Sequence, residues 1–305
     1  LATPRHLLLA RPFSSPWAMK VHRPPSPSAH NLLISPVSLA EIPMTDTLSP
    51  SDTAKFVAAK RASEMVQSGM KVGLGTGSTA AFLVQCLGER VRDEGLEIIG
   101  VPTSNRTAEL AREVGIKVVT LDEARWLDLT IDGADEYDAE LNLIKGGGGA
   151  HLQEKIVATA SDKMIVIADV TKKVDTLGAF PLPVEVLAFG MSTTKMLLEE
   201  MLDGLDVMGT RVTTRMDGDQ LFVTDEGNHI LDLHLGRIGN ARQLALVLNQ
   251  VPGVVENGLF IDICDVIVTG HGDGTVEVRD INAGETETEF VDGDLGDNVF
   301  REIAD

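Results

Sequence analysis

From residue 51 onward the apolar positions follow two alternating rhythms. Phe82, Leu83, Cys86, Leu87 and Val91 recur at helical spacing and predict a helix over 80–94. Further helical patterns cover 51–69, with Ser51 or Asp52 as its N-cap, 106–114 and 153–160. Between them, short apolar runs at 71–74, 96–101, 117–120, 127–131 and 164–168 read as strands. Strands that are apolar on both faces and alternate with helices belong to a parallel sheet covered on both sides. The predicted fold is therefore α/β, with an open, mostly parallel, Rossmann-like sheet and helices on both faces.

After Pro181-Leu182-Pro183 the rhythm changes. A helical pattern at 193–205 is followed by strand patterns at 209–215, 221–224 and 229–234, separated by Asp217-Gly218 and Glu226-Gly227-Asn228. These are hairpin turn signals between antiparallel strands. With a further helix at 241–248, residues 181–254 predict a small α+β subdomain. Strand patterns at 258–268 and 275–278 then return to the first sheet, so 44–180 and 255–280 are expected to form the main α/β domain. Residues 281–305 lack apolar periodicity and read as an acidic tail.

Residues 1–43 differ from the rest. They carry Arg5, Arg11, Lys20 and Arg23, several Ser and Pro, and a single acid, Glu41. Such a segment cannot bury a core and is expected to be disordered. The chain opens with Leu1, while Met44 starts an ordinary-looking N-terminus, so the segment reads as a mis-assigned start. An organelle transit peptide is the alternative, and the expected location is accordingly cytoplasmic, or plastid or another organelle in that second case.

Composition narrows the function. The 305 residues are 43% hydrophobic and 24% charged, ordinary for a folded chain with a sizeable core. Two cysteines, Cys86 and Cys264, stand far apart and in no metal-ligand spacing, which fits a reducing compartment and no disulfide framework. No run of about 18 apolar residues predicts a membrane span. The net charge of −20 disfavours nucleic acid as a partner. An anionic ligand would need a local basic spot.

Three segments carry candidate chemistry. Gly75-Thr76-Gly77-Ser78-Thr79 lies between a strand and a helix, where backbone N–H groups bind anions. A Walker A loop is excluded, because no Lys follows the glycines. A dinucleotide site would want an acid at the end of the next strand, which instead reads Thr103-Ser104. A phosphomonoester site, with Ser78 and Thr79 adding hydroxyls, and a plain tight turn remain. Asp132-Gly133-Ala134-Asp135 follows an apolar strand, at the end where open α/β sheets bind ligands. Solvated carboxylates in an Asp-Gly turn are the alternative. The third segment runs from Lys145 through Gly146-Gly147-Gly148-Gly149 to Glu154. Four consecutive glycines cost entropy and point to close backbone approach, Lys145 supplies positive charge, and Glu154 starts a helix. A helix-start Glu favoured by the macrodipole is the bland reading of Glu154. His151 reads as structural.

Together these segments resemble ribose-5-phosphate isomerases of the A type. The matching blocks are Val72-Gly-Leu-Gly-Thr-Gly-Ser-Thr-Ala80, Ile131-Asp-Gly-Ala-Asp-Glu136, Ile144-Lys-Gly-Gly-Gly-Gly149 with Glu154-Lys155-Ile156, Lys172-Lys-Val-Asp175 and Phe180-Pro-Leu-Pro-Val-Glu185. Val251-Pro-Gly-Val254 and Gly258-Leu-Phe260 add to them, and the resemblance runs in order over about residues 50–280. It implies that Glu154 is the proton-transferring base, that Asp132 opens the sugar ring and handles the hydroxyl proton, and that Lys145 stabilises the oxyanion. Thr76 and Asp135 would hold sugar hydroxyls. Ser78, Thr79, Lys55 and Lys172 would bind phosphate, with Gly77, Gly133, Ala134, Gly146, Gly147 and Gly148 lining the substrate.

The implied reaction interconverts ribose 5-phosphate and ribulose 5-phosphate through an enediolate, in the non-oxidative pentose phosphate pathway. A proton moves and no hydride, so no nicotinamide is expected, nor any metal or other cofactor. The expected partner is a small phosphosugar, in a homodimer or homotetramer, with neither nucleic acid nor membrane. One rival is a coenzyme A transferase-like enzyme with Glu154 as nucleophile, which hydroxylamine trapping would reveal. The other is a sugar-phosphate-sensing domain of a regulator, against which stands the lack of a helix-turn-helix pattern in residues 1–50.

Overall fold

In a computed structural model of the chain, residues 48–284 and 286–292 are described. The expectations for 1–43, and for the tail beyond 292, lie outside them.

Helix α1 (Pro50–Ser63) starts where the Ser49 hydroxyl accepts the Asp52 N–H at 3.1 Å, with Pro50 at its first position. The cap is therefore Ser49, not Ser51 or Asp52, and the helix ends at Ser63 rather than at 69. Then come β1 (Lys71–Leu74), α2 (Ser78–Asp93), β2 (Ile99–Pro102), α3 (Asn105–Glu113), β3 (Lys117–Val118), the short α4 (Leu121–Ala124) and β4 (Leu129–Gly133). Two two-residue strands follow, β5 (Glu136–Tyr137) and β6 (Leu143–Ile144), then α5 (His151–Thr159), β7 (Met164–Asp169) and a 3-10 turn at Val170–Lys172.

The second part of the chain holds β8 (Leu182–Val186), α6 (Met191–Leu202), β9 (Arg211–Thr214), the short pair β10 (Met216–Asp217) and β11 (Gln220–Leu221), β12 (His229–His234), α7 (Ala241–Leu248) and β13 (Val254–Asn257). It closes with β14 (Leu259–Phe260), β15 (Val266–Gly270), β16 (Thr275–Asp280) and β17 (Thr286–Phe290).

The main sheet has eight strands in the order β17-β16-β15-β7-β4-β1-β2-β3. The six from β15 to β3 are parallel, and β16 and β17 are antiparallel additions at one edge. The apolar strands are buried on both faces, as their patterns require. In β7, Ile165 and Ile167 enter a core with Phe82, Leu83 and Phe56 of α2 and α1. Met164, Val166 and Ala168 point the other way, into a core with Leu143 and Phe260. Cys86 and Cys264 are free buried thiols, one in each of these cores.

A second core lies between α6, α7 and a four-stranded antiparallel sheet, β13-β8-β12-β9. β8 lies within the predicted 181–254 subdomain but was not read as a strand; it is flanked on both sides, although Pro is depleted in interior strands. β13 extends this sheet to Asn257, past residue 254.

The predicted strand 258–268 is two strands. Asp262 between them adopts φ +57°, which breaks extension. β14 pairs with β6 in a small sheet, and β15 joins the main one. The acidic stretch at 286–290, read as tail, is the exposed edge strand β17, whose alternating Thr and Glu suit an open edge.

Candidate active site

The carboxyl ends of the central parallel strands bring the three glycine and acid segments together. β1 ends in the Gly75–Gly77 turn, β4 ends in Asp132 and Gly133, and β7 ends in Asp169. A cavity of about 310 Å³ opens there. Lys55 from α1, Thr76, Gly77, Ser78 and Thr79 before and in α2, and Gly133, Ala134 and Asp135 after β4 line it. Lys145, Gly146, Gly147, Gly148, Glu154 of α5 and Lys172 of the 3-10 turn complete the wall. Asp132 lies beneath, fully buried.

The floor is an ion triad. Lys145 Nζ stands 3.0 Å from Asp132 Oδ2 and 3.3 Å from Glu154 Oε2, and donates a hydrogen bond to the Gly133 carbonyl at 2.5 Å. All three side chains are buried, Glu154 being only 4% exposed. Neither Asp132 Oδ2 nor Glu154 Oε2 accepts a hydrogen bond, so each keeps acceptor capacity beside the ammonium. Asp132 is oriented through its other oxygen, which takes the Gly133 N–H at 2.7 Å and the Thr76 N–H at 3.1 Å.

Burial sets the protonation of this floor. It pushes the Glu154 carboxyl up to about 8, the Asp132 charge adds to the effect, and the Lys145 ammonium opposes it. Asp132 is also raised by burial, against the pull of Lys145. Burial disfavours the Lys145 ammonium, but the Asp132 and Glu154 carboxylates outweigh it and hold its pKa above the ordinary lysine value. Lys145 is thus a fixed cation, and Glu154 is a carboxyl poised to exchange a proton near neutral pH.

Backbone geometry lets the chain pack closely around the triad. A Cβ on Gly75 would stand 2.1 Å from Asp132 Oδ1, so only glycine lets this turn cross the carboxylate. Gly146, at φ +103°, bends the chain over His151 immediately after Lys145. His151 is a buried neutral imidazole, lowered to about 3 chiefly by burial, which agrees with its structural reading. Helix α2 starts at Gly77 without any side-chain cap, leaving its first N–H groups free for an anion beside Ser78 and Thr79.

Three peripheral candidates are engaged by the protein itself, the first being Lys55, whose Nζ pairs with Asp52 Oδ1 at 3.0 Å. The Thr76 hydroxyl meets Thr103 Oγ1 at 2.8 Å and Ser104 Oγ at 2.9 Å, so the pair that excludes a dinucleotide acid instead anchors the loop. Asp135 Oδ2 accepts the Gly147 N–H at 2.7 Å. Ser51, Asp169 and Thr171 line the cavity without having been read from the sequence as ligand groups. Asp169 carries the same signal as Asp132, an acid closing an apolar strand, and could have been found by it. Among the described residues no group of three or more His, Cys, Asp or Glu is placed to hold a metal ion.

A model of the ribose 5-phosphate isomerase A (phosphoriboisomerase A) family matches residues 99–274. The chain is 72% identical over 262 residues to the ribose-5-phosphate isomerase A of Ruegeria pomeroyi, covering 86% of this chain and 100% of that protein. A Cereibacter sphaeroides relative of the same name is 66% identical over the same coverage. The solved structure of ribose 5-phosphate isomerase A from Methanocaldococcus jannaschii is similar at TM-score 0.69 and 41% identity, covering 76% of this chain and 100% of that one. A D-ribose-5-phosphate isomerase solved in complex with phospho-erythronic acid is similar at TM-score 0.69 and 37% identity, over 74% and 97% of the two chains. Neither a coenzyme A transferase-like enzyme nor a sugar-phosphate sensor finds support among these relatives. The buried Glu154–Lys145–Asp132 floor thus sits in a chain that belongs to the ribose 5-phosphate isomerase A family.

Proposed function

We propose that this chain interconverts D-ribose 5-phosphate and D-ribulose 5-phosphate through an enediolate, with Glu154 as the base. The observation that carries the reading is the buried Glu154 carboxyl, 3.3 Å from the Lys145 ammonium, in a cavity that also holds the free start of α2, Lys55 and Lys172. Ionised Glu154 takes the proton from C2 of the opened aldose and returns it to C1 from the same face. Charge builds on the substrate oxygens, where Lys145 and the glycine N–H groups are already fixed to receive it. Asp132, whose Oδ2 stands 3.0 Å from Lys145 Nζ, handles the hydroxyl proton and assists ring opening. Ser78, Thr79, Lys55, Lys172 and the N–H groups of α2 hold the phosphate, whose binding positions the distant carbons. Thr76 and Asp135 keep the sugar-hydroxyl role, shared with the loop contacts they make.

The proposal extends to a cytoplasmic homodimer or homotetramer serving the non-oxidative pentose phosphate pathway, supported by family membership. Among the described residues no helix is long and apolar enough to cross a membrane.

The test is an isomerisation assay on ribose 5-phosphate with a chelator present, followed across pH. Full turnover is expected without added metal. Because the base must be ionised, kcat/KM should rise as pH climbs through about 8, where Glu154 loses its proton. A metal requirement would overturn proton transfer by Glu154 alone, and a profile flat between pH ~6 and ~9 would deny its raised pKa.

A further inference from the structure

The glycine run is held from outside the cleft. Arg215 follows β9 in the four-stranded sheet, its N–H donating to the Ile230 carbonyl at 2.9 Å. Its guanidinium grips Asp232 of β12 through two nitrogens, Nε to Oδ2 at 3.0 Å and Nη2 to Oδ1. Its remaining nitrogen, Nη1, donates to the Gly146 carbonyl at 2.7 Å and the Gly147 carbonyl at 3.1 Å. The pair is largely sequestered, Arg215 being 14% and Asp232 16% exposed at the side chain.

Peptide planarity converts this grip into an orientation. In a trans peptide the C=O and the following N–H point in opposite directions. Two carbonyls drawn to Arg215 therefore turn the Gly147 and Gly148 N–H groups away from it. The Gly147 N–H reaches Asp135 Oδ2 at 2.7 Å, on the cavity wall. The Gly148 N–H meets no protein acceptor among the described residues. Within the run, the Gly149 N–H also donates to the Gly146 carbonyl at 3.0 Å and helps fix the first plane, whereas the Gly147 carbonyl, which sets the Gly148 N–H, is held by Arg215.

We propose that Arg215, anchored by Asp232, is a positioning residue that sets the two peptide planes so that the Gly147 N–H orients Asp135 and the Gly148 N–H is offered to a substrate oxygen. Neither residue touches the reacting atoms. The inference rests on the isomerase reading above and adds to it a contribution from the antiparallel sheet to the chemistry of the parallel one.

Arg215→Lys decides it. A lysine keeps a cation beside Asp232, so the sheet pairing survives, but one ammonium cannot hold both carboxylate oxygens and two carbonyls. With the amides released, kcat for ribose 5-phosphate should fall about 10- to 100-fold, the scale of misplaced active-site groups. KM should change less than kcat, and the pH at which activity rises should stay where the wild type has it. Arg215→Met, read as kcat per folded molecule, should show at least the same loss. Wild-type kcat in Arg215→Lys, or a loss confined to KM or to melting temperature, overturns the positioning role. An inactive wild type would instead overturn the isomerase reading itself.

Discussion

Glu136 and Glu154 are the same residue type at the same burial, each 4% exposed, in two regions that treat them oppositely. Glu136, on the small sheet, is saturated by backbone: its oxygens accept the Gly178 N–H at 2.7 Å and the Phe180 N–H at 2.5 Å. Glu154, at the cavity floor, leaves Oε2 without a hydrogen bond and is opposed by the Asp132 charge. Burial alone therefore does not make a carboxylate reactive. A buried carboxylate held by backbone donors on both oxygens is a structural clasp, whereas one buried without them and beside a second carboxylate is pushed toward protonation.

The widest separation between the two should come from Glu154→Gln. It should lower kcat by about 10²-fold or more, the scale of a lost acid–base group, with the fold retained. The same variant carries a stability signature. The folded pKa of about 8 lies above the ordinary value of 4.5, so folded wild type keeps a proton that the unfolded chain has released. Wild-type stability contributed by this site is full below about 4.5 and is lost as pH rises toward 8, so the melting-temperature advantage of the variant should grow across that window. Near-normal turnover in Glu154→Gln would erase the contrast.

Lys145→Ala should come next, lowering kcat by up to about 10²-fold and moving KM less, because the cation is needed most where oxyanion charge develops. Steady-state kinetics on the folded fraction read the split. A pure KM effect would make Lys145 a phosphate clamp and leave Glu154 without its partner in chemistry.

The smallest effect on turnover belongs to Glu136→Gln. Its amide would face one N–H with another donor, costing about 1–3 kcal/mol. At about 2–4 °C per kcal/mol for a chain of this size, thermal melting resolves that loss. The kcat of the folded molecules should stay at the wild-type value. A fall in kcat with melting unchanged would move Glu136 to the chemical side of the comparison.

Much of this was legible from residue patterns, and the failures have local causes. The parallel strands were found because burial on both faces makes them continuous apolar runs, as in β7. β8 was missed because Pro183 argues against an interior strand, and β5 and β6 because two residues show no periodicity. The 258–268 run was read as one strand because nothing in its composition announces the left-handed turn at Asp262. In the site, the glycine loops and the acids closing strands read from the sequence come together around one cavity. Arg215 was invisible, because its partners Gly146 and Asp232 are distant in sequence and its grip is on carbonyls that every residue possesses.

The sequence by itself determined the alternation of helices and strands, the glycine runs that signal close backbone approach, and the blocks that mark the family. These depend on side-chain periodicity and backbone freedom, which are local properties. Only the tertiary structure decided that Lys145 stands between Asp132 and Glu154, that Glu154 lacks the backbone donors that each oxygen of Glu136 has, and that Arg215 of the second sheet reaches the glycine carbonyls. Desolvation and hydrogen-bond supply depend on atoms brought in from other elements, so the pKa of a carboxylate is a property of the folded neighbourhood and not of its place in the chain.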